Sequence, residues 1–381
     1  MKQNDVLIVG GGAIGSSIAY HLASDKDFAG RVVVIERDPS YARASSALSA
    51  SSIRQQFSTP LNIHLSRHGI EFLRTAPKLL DVDLALKEMG YLFLASAAGQ
   101  AVLRANNAVQ RGEGCAVELV EPAELARRFP WIATDGLVLA SFGAANEGWF
   151  DGPSLMQAFR RAAQDRGAVY VADEVVGLGR RHVDLRTGGR MAAGTIVVAA
   201  GAWSGEIAAM AGIALPVEPR RRSVFVFDVR RPPGPTPLTI DPSGVWFRPE
   251  GRFYIGGTTP AAGNDPAGAP LEVQHREWDE MVWPVLAARV PAFEAAKVVN
   301  SWAGYYDYNT FDQNGIVGRC PAAESVIFAT GFSGHGIQQS PAVGRAVAEL
   351  IAHGEYRTLD LRPFGYERIS AGRPIRELNV V

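Results

Sequence analysis

Cysteine is scarce in this sequence, with two residues in 381, Cys115 and Cys320. A secreted disulfide framework needs more of them. The two stand far apart and outside any CxxC or Cys/His spacing, so no zinc or other metal site is expected. Each reads as a small buried thiol. Long apolar runs are missing too, and none approaches the roughly 18–20 residues of a membrane helix. The opening MKQNDVLIVGGG enters a strand directly, without the apolar stretch and cleavage site of a signal peptide. A cytoplasmic location without membrane insertion is expected. Charge of one sign is also lacking. The 38 Lys and Arg against 39 Asp and Glu leave −1, which argues against a nucleic-acid binder. So small a net charge beside 47% apolar residues excludes disorder as the dominant state. No internal repeat or low-complexity block is present.

What is present starts at the N-terminal end. Residues 5–9 (DVLIV) form a short apolar run, the pattern of a strand buried on both faces. GGGAIG follows, with Gly10, Gly12 and Gly15, and then residues 13–23 with apolar positions at helical spacing. A second buried run at 31–35 (RVVVI) ends at Glu36, 21 residues beyond Gly15. Each part has a task. Gly10 allows a tight turn, Gly12 lets the backbone approach a pyrophosphate, and Gly15 lets helix pack on strand. The helix start, with Ala13 and Ile14, offers free N–H groups to phosphate, and Glu36 accepts from a ribose diol. GxGxxG alone is weak, since a glycine-rich turn occurs without a ligand; in this strand–turn–helix–strand–Glu order it predicts dinucleotide binding. Glu36 would repel the extra phosphate of NADP, and Arg37 beside it makes a poor phosphate site.

Glycine turns after apolar runs recur at 195–204 (TIVVAAGAWS, with Ala200, Gly201 and Trp203) and at 326–336 (VIFATGFSGHG), with a helix predicted at 340–351. Three such turns spread along the chain imply one nucleotide domain assembled from non-contiguous segments. In an NAD dehydrogenase a compact nucleotide domain would precede a separate catalytic one.

The GGGAIG turn with Glu36, the central AAGAWS and the C-terminal GFSGHG together resemble the D-amino-acid oxidase superfamily of FAD-dependent oxidoreductases, which contains glycine oxidase and sarcosine oxidase. The resemblance covers nearly the whole chain. RQQFS at 54–58, VEPRRRSVFVFDV at 217–229, YNTFDQNGIVG at 308–318 and GFSGHGIQQSP at 331–341 are similar to the FAD-dependent oxidoreductase domain-containing protein 1 group. Some members of that group are linked to respiratory-complex assembly. The resemblance implies an α/β fold: a Rossmann-like FAD-binding domain (1–80, 145–215 and 310–369) and a mostly antiparallel α+β substrate domain (81–144 and 216–309). A tail at 370–381 is left, as a free end or a docking strand. Within these, a helix is predicted to start after Asp151, strands at 168–176, and a helix near 275–289. The substrate-domain strands alternate as if one sheet face were wet.

The implied cofactor is FAD, bound non-covalently, because the stretch at 302–306 has no Cys. Its contacts would include the small-residue loop (Ser45, Ser46, Ser52), Val175 through its backbone at the adenine, and Gly304. At the flavin edge they would be Gly334, His335, Gly336, Ile337 and Gln338. The implied reaction oxidises the C–N bond of a secondary amino acid, an N-substituted glycine such as sarcosine or iminodiacetate. Hydride passes to flavin N5, the imine hydrolyses, and O₂ reoxidises the flavin to give H₂O₂. A quinone or flavoprotein acceptor, a primary amino acid substrate, and a non-catalytic flavin-bearing assembly factor are the alternatives. No oligomeric state is implied.

Arg54 matches the Arg that grips the substrate carboxylate in sarcosine oxidases, and guanidinium geometry favours a bidentate pair; a surface Arg is the plainer reading. The second anchors of the family are replaced: Gln338 stands where sarcosine oxidases have Lys, and Tyr306 where glycine oxidases have Arg. Arg248, on a predicted strand with Trp246 two residues away, is the substitute anchor if it faces the pocket; strand alternation gives the opposite face equal weight. Two arginines facing one pocket would favour a dicarboxylic amine. Tyr254 aligns near the O₂-activating Lys. Trp246 and Tyr306 are cavity-lining or core, and His335 is flavin-adjacent or structural.

Overall fold

The computed structural model describes residues 5–260 and 263–378. The runs read as doubly buried strands pair side by side. Val6–Val9 lies between Val32–Glu36 and Thr195–Val198, all parallel. Val169–Ala172 extends this sheet on one side, and Ala323–Thr330 with the antiparallel Ile316–Cys320 on the other. Six strands from five separate stretches of chain thus form one largely parallel sheet.

Helices Ala13–Ser24, Gly152–Asp165 and Gly336–His353 pack together on this sheet. A Cβ on Gly344 would lie 2.0 Å from Ser17 Oγ, so the first and last of these helices touch backbone to side chain. Asp151 caps its helix by accepting from the Ser154 N–H at 2.9 Å. The last helix starts at Gly336 rather than near residue 340 and runs through Pro341. The hydroxyl of Ser340 donates to Ile337 O at 2.9 Å, supplying the bond that proline cannot make.

The second sheet has eight strands in the order Lys297–Asn309, Val217–Asp228, Phe253–Gly257, Trp246–Glu250, Leu238–Ile240, Tyr91–Ala95, Leu139–Gly143, Val117–Val120. All pairs are antiparallel except Leu238–Ile240 with Tyr91–Ala95. The helical segment at 275–289 covers one face: Trp278, Val282 and Leu286 pack on Phe225, Phe227 and Phe247. That cover replaces the wet face expected there from alternation, and the other face looks onto the first sheet. Residues 374–378 run back over the start of helix Pro60–Leu80. There the buried Glu377 accepts from Ser58 N and Oγ, Thr59 N and Asn62 Nδ2. The tail is therefore docked as an extended segment, and its last three residues lie outside those described. Among the described residues no helix is long and apolar enough to cross a membrane.

Candidate active site

One deep cleft runs between the sheets. Its inner end is the turn after Val9. Gly10 takes φ +100°, and a Cβ there would lie 2.4 Å from Ala199 O, so only glycine lets the strand end turn beside its neighbour. Gly15 is not on the wall. It lies beneath, where a Cβ would meet Gly10 O at 2.0 Å. Gly12, Ala13 and Ile14 line the cleft. Ala13 N–H donates to Ser46 Oγ at 3.0 Å. Glu36 is on the wall and anchored, accepting from Gly11 N and Asp38 N.

The opposite wall holds Val175, Ala200, Gly201 and Trp203, and the loop wall holds Ser45, Ser46 and Ser52. Arg37 stacks on Trp203, its guanidinium carbon 3.8 Å from the ring centroid. The buried hydroxyl of Ser45 has no hydrogen-bond partner among the described residues. An orphaned polar atom on a wall of glycines and a helix start fits the ribose–diphosphate part of a dinucleotide.

Further along, the wall is Gly304, Gly334, Gly336 and Ile337, then Trp246, Thr258, Tyr306 and Arg222. Burial raises the Tyr306 phenol, against the pull of Arg222 and Arg54, so it is a hydrogen-bond donor at neutral pH.

Arg54 and His335 lie behind this wall. The Arg54 guanidinium is boxed by Phe57, Phe93 and Tyr91, with ring centroids 4.3, 5.3 and 5.9 Å away. It donates to Gln56 O at 2.8 Å and meets His335 Nε2 at 2.9 Å. A guanidinium only donates, so Nε2 accepts and the proton sits on Nδ1. His335 is neutral, as its burial also demands, first through desolvation and then through Arg54. Gln338 is not on the wall either. Its Oε1 accepts from Arg54 N and Ser66 Oγ at 3.0 and 2.8 Å, knitting the last helix to the Arg54 segment. The neighbouring Glu147 is fully buried and accepts from Gln55 N and Gln56 Nε2. Burial pushes its carboxyl up to about 8, opposed by those donors and by Arg54.

Two candidate residues stand elsewhere. Arg248 shares the sheet face of Trp246, but its guanidinium turns back to Ala50 O, Pro249 O and Glu250. It braces the small-residue loop from outside the cleft. Tyr254 is on the covered face, stacked on Phe227 and tilted against Phe293, one residue out of phase with the cleft.

Arg222 and Asp307 are cleft residues that motif reading passed over. Asp307 follows Tyr306, and its Oδ2 accepts from Gly331 N and Phe332 N at 2.8 and 3.0 Å, shaping the turn before Gly334. Burial raises this carboxyl to about 6, against the backbone donors. The native state then binds its proton more tightly than the unfolded chain. The resulting stability is present below about pH 4 and is lost as pH rises through about 6. Asp307→Asn keeps one oxygen for both donors and removes the proton. Between pH 4 and 7 the wild type should lose about 3 kcal/mol relative to Asp307→Asn, from two pKa units. Parallel urea-denaturation curves across that range would refute this.

The model of the DAO family, FAD dependent oxidoreductase, matches residues 5–350. FAD-dependent oxidoreductase domain-containing protein 1 of Bos taurus is 44% identical over 99% of this chain and 87% of its own. The glycine oxidase of Geobacillus kaustophilus is 30% identical over 96% and 97%. Among solved structures, L-proline dehydrogenase from P. horikoshii superposes with a TM-score of 0.86 at 27% identity, covering 97% of this chain and 99% of that one.

Proposed function

The chain belongs to the DAO family of FAD-dependent oxidoreductases acting on C–N bonds, and we propose that it oxidises a secondary amino acid, an N-substituted glycine. The observation that carries this reading is the continuity of the cleft. It passes from the glycine turn at Gly10 to a compartment walled by Trp246, Thr258, Gly304 and Tyr306, with the charge of Arg54 close behind Tyr306. The named structural relative supports it, since proline is itself a secondary amine.

FAD, once bound, supplies the hydride acceptor. Glu36, the Ala13 helix start and Ser45 would hold its nucleotide half, and the turn at 334–337 would meet its ring. Neither cysteine is on the cleft wall, which favours a non-covalent flavin. The positive charge of Arg54, held behind Tyr306, is assigned to the attraction of the α-carboxylate without direct contact. Neutral His335 fixes the guanidinium plane without competing for its charge. Trp246 and Tyr306 exclude water around the α-carbon. The oxidised substrate is an imine, which water hydrolyses to a carbonyl compound and an amine.

Anaerobic mixing of the yellow protein with sarcosine, dimethylglycine, iminodiacetate, proline, glycine and D-alanine tests this. Rapid bleaching by an N-substituted glycine is expected, and readmitted air then separates O₂ from a quinone or flavoprotein as acceptor. Bleaching by primary amines alone overturns the reading. So does none at all with a flavin that dithionite still reduces, which favours a non-catalytic assembly role.

A further inference from the structure

Arg222 sits in the strand Val217–Asp228, opposite Gly304 of the neighbouring strand. Only 8% of it is exposed, and its guanidinium lies 5.0 Å from the Tyr306 ring centroid on the cleft wall. Its end-on fork is occupied: Nη1 and Nη2 donate to Asp265 at 2.8 and 2.9 Å, and Nη1 also to Arg221 O at 2.7 Å. These contacts involve three of the five N–H donors of a guanidinium. The side edge is different. Buried Nε has no hydrogen-bond partner among the described residues. Nε with the outer proton of Nη2 is the second planar fork of arginine, matched to the two oxygens of a carboxylate.

We propose that this edge of Arg222 binds a carboxylate carried on the nitrogen substituent of the substrate, which makes dicarboxylic secondary amines the preferred class. The proposal rests on the secondary-amine reading above. Two cations then serve two anions: Arg54 and Arg222 act on Tyr306, whose phenol feels the charge of both. Arg248 is tied down outside the cleft. Arg37 and Arg43 are drawn to Trp203 at the other end, 3.8 and 5.9 Å from its ring. Asp265 is a positioning residue. It holds the guanidinium plane from a segment that is itself pinned by Tyr305 Oη to Ala269 O at 2.7 Å and by Arg221 to Pro270 O at 3.1 Å. Its negative charge also tempers the affinity of Arg222 for an anion.

Diglycolate and methoxyacetate are ethers shaped like iminodiacetate and sarcosine, and neither carries an oxidisable amine. Each is titrated into flavin-loaded protein, with the flavin absorbance as readout. Wild type should bind diglycolate more tightly than methoxyacetate. Arg222→Gln should weaken diglycolate about 10–100-fold, the usual range for a charge-assisted pair, and leave methoxyacetate nearly unchanged. Asp265→Asn, which keeps the cation and removes its counter-charge, should tighten diglycolate, a change that a purely structural role would not produce. The double variant Arg222→Gln/Asp265→Asn leaves no charge stranded and should repeat the single loss. Equal affinity for both ethers in wild type overturns the proposal. So does equal weakening of both in Arg222→Gln, or a shed flavin, which would assign the edge to the cofactor. Diglycolate held through Arg222 in a protein that no amine bleaches would leave the anchor in place and remove the proposed reaction.

Discussion

A Gly15→Ala protein should leave purification colourless while keeping the far-ultraviolet circular dichroism of the wild type. The added Cβ would sit 2.0 Å from Gly10 O, 3.1 Å from Gly10 C and 3.2 Å from Ile8 Cγ2. Two of those three atoms are backbone, and the turn that bears them cannot retreat. Gly10 is itself held against Ala199 O, its N–H donating to Ile35 O at 2.9 Å. The helix must lift instead. Its free N–H groups and partial positive end then leave the place where a diphosphate is read. A loss of about 100-fold in FAD affinity is expected, equivalent to about 2.7 kcal/mol. Flavin absorbance per mole of protein and a titration with added FAD measure it. Gly112→Ala, where nothing lies within 4 Å, is the matched control and should stay yellow. A yellow Gly15→Ala protein with full flavin content would show that the helix start is not what holds the cofactor.

The second large effect lies away from the cleft. Asp312 and Arg368 are 0% and 5% exposed at their side chains and pair at 2.7 and 2.9 Å. Arg368 also donates to Phe364 O, Gly365 O, Asn314 O and Gly315 O. Asp312 further accepts from Asn309 Nδ2, Asn314 N and Ile375 N. This pair joins the loop after Lys297–Asn309 to the C-terminal segment. Asp312→Ala strands a buried guanidinium and should destabilise the protein by about 3–5 kcal/mol, read as a lowered urea midpoint. Asp312→Leu with Arg368→Met leaves no unpaired charge and should cost less. A single variant within about 1 kcal/mol of wild type would mean that water reaches Arg368, contrary to its burial.

The nucleotide end of this protein was legible because its constraints are local. A strand, a turn of glycines, a helix and an acid at the next strand end all lie within residues 5–36, and each residue type answers one steric or electrostatic demand. The substrate end follows from register, which sequence carries weakly. Trp246 and Arg248 share a face by alternation, yet only Trp246 reaches the cleft, because Ala50 O from a distant loop captures the guanidinium. Tyr254 falls on the covered face through a pairing with Phe227 and Pro249 that no single strand discloses. Arg222 stood in a noted run of three arginines. The signal was its even spacing with Val224 on the face opposite Phe225 and Phe227. The start of the last helix was misplaced because Pro341 reads as a boundary, and the hydroxyl of Ser340 repairs what proline removes.

The discontinuity of the first sheet has a consequence for synthesis on the ribosome. Val198 is followed by about 125 residues of other structure before its sheet neighbour at 323–330 is made. At about 5–20 residues per second that is an interval of about 6–25 s. During it, strand Thr195–Val198 has no partner on that flank, and the wall at 334–337 does not yet exist. Flavin capture therefore belongs to the last moments of translation or to the time after release. The nascent chain must keep an open apolar sheet edge from pairing with other chains until then. Supply of FAD and of a holding chaperone should set the yield of this protein more than codon choice along its first two hundred residues.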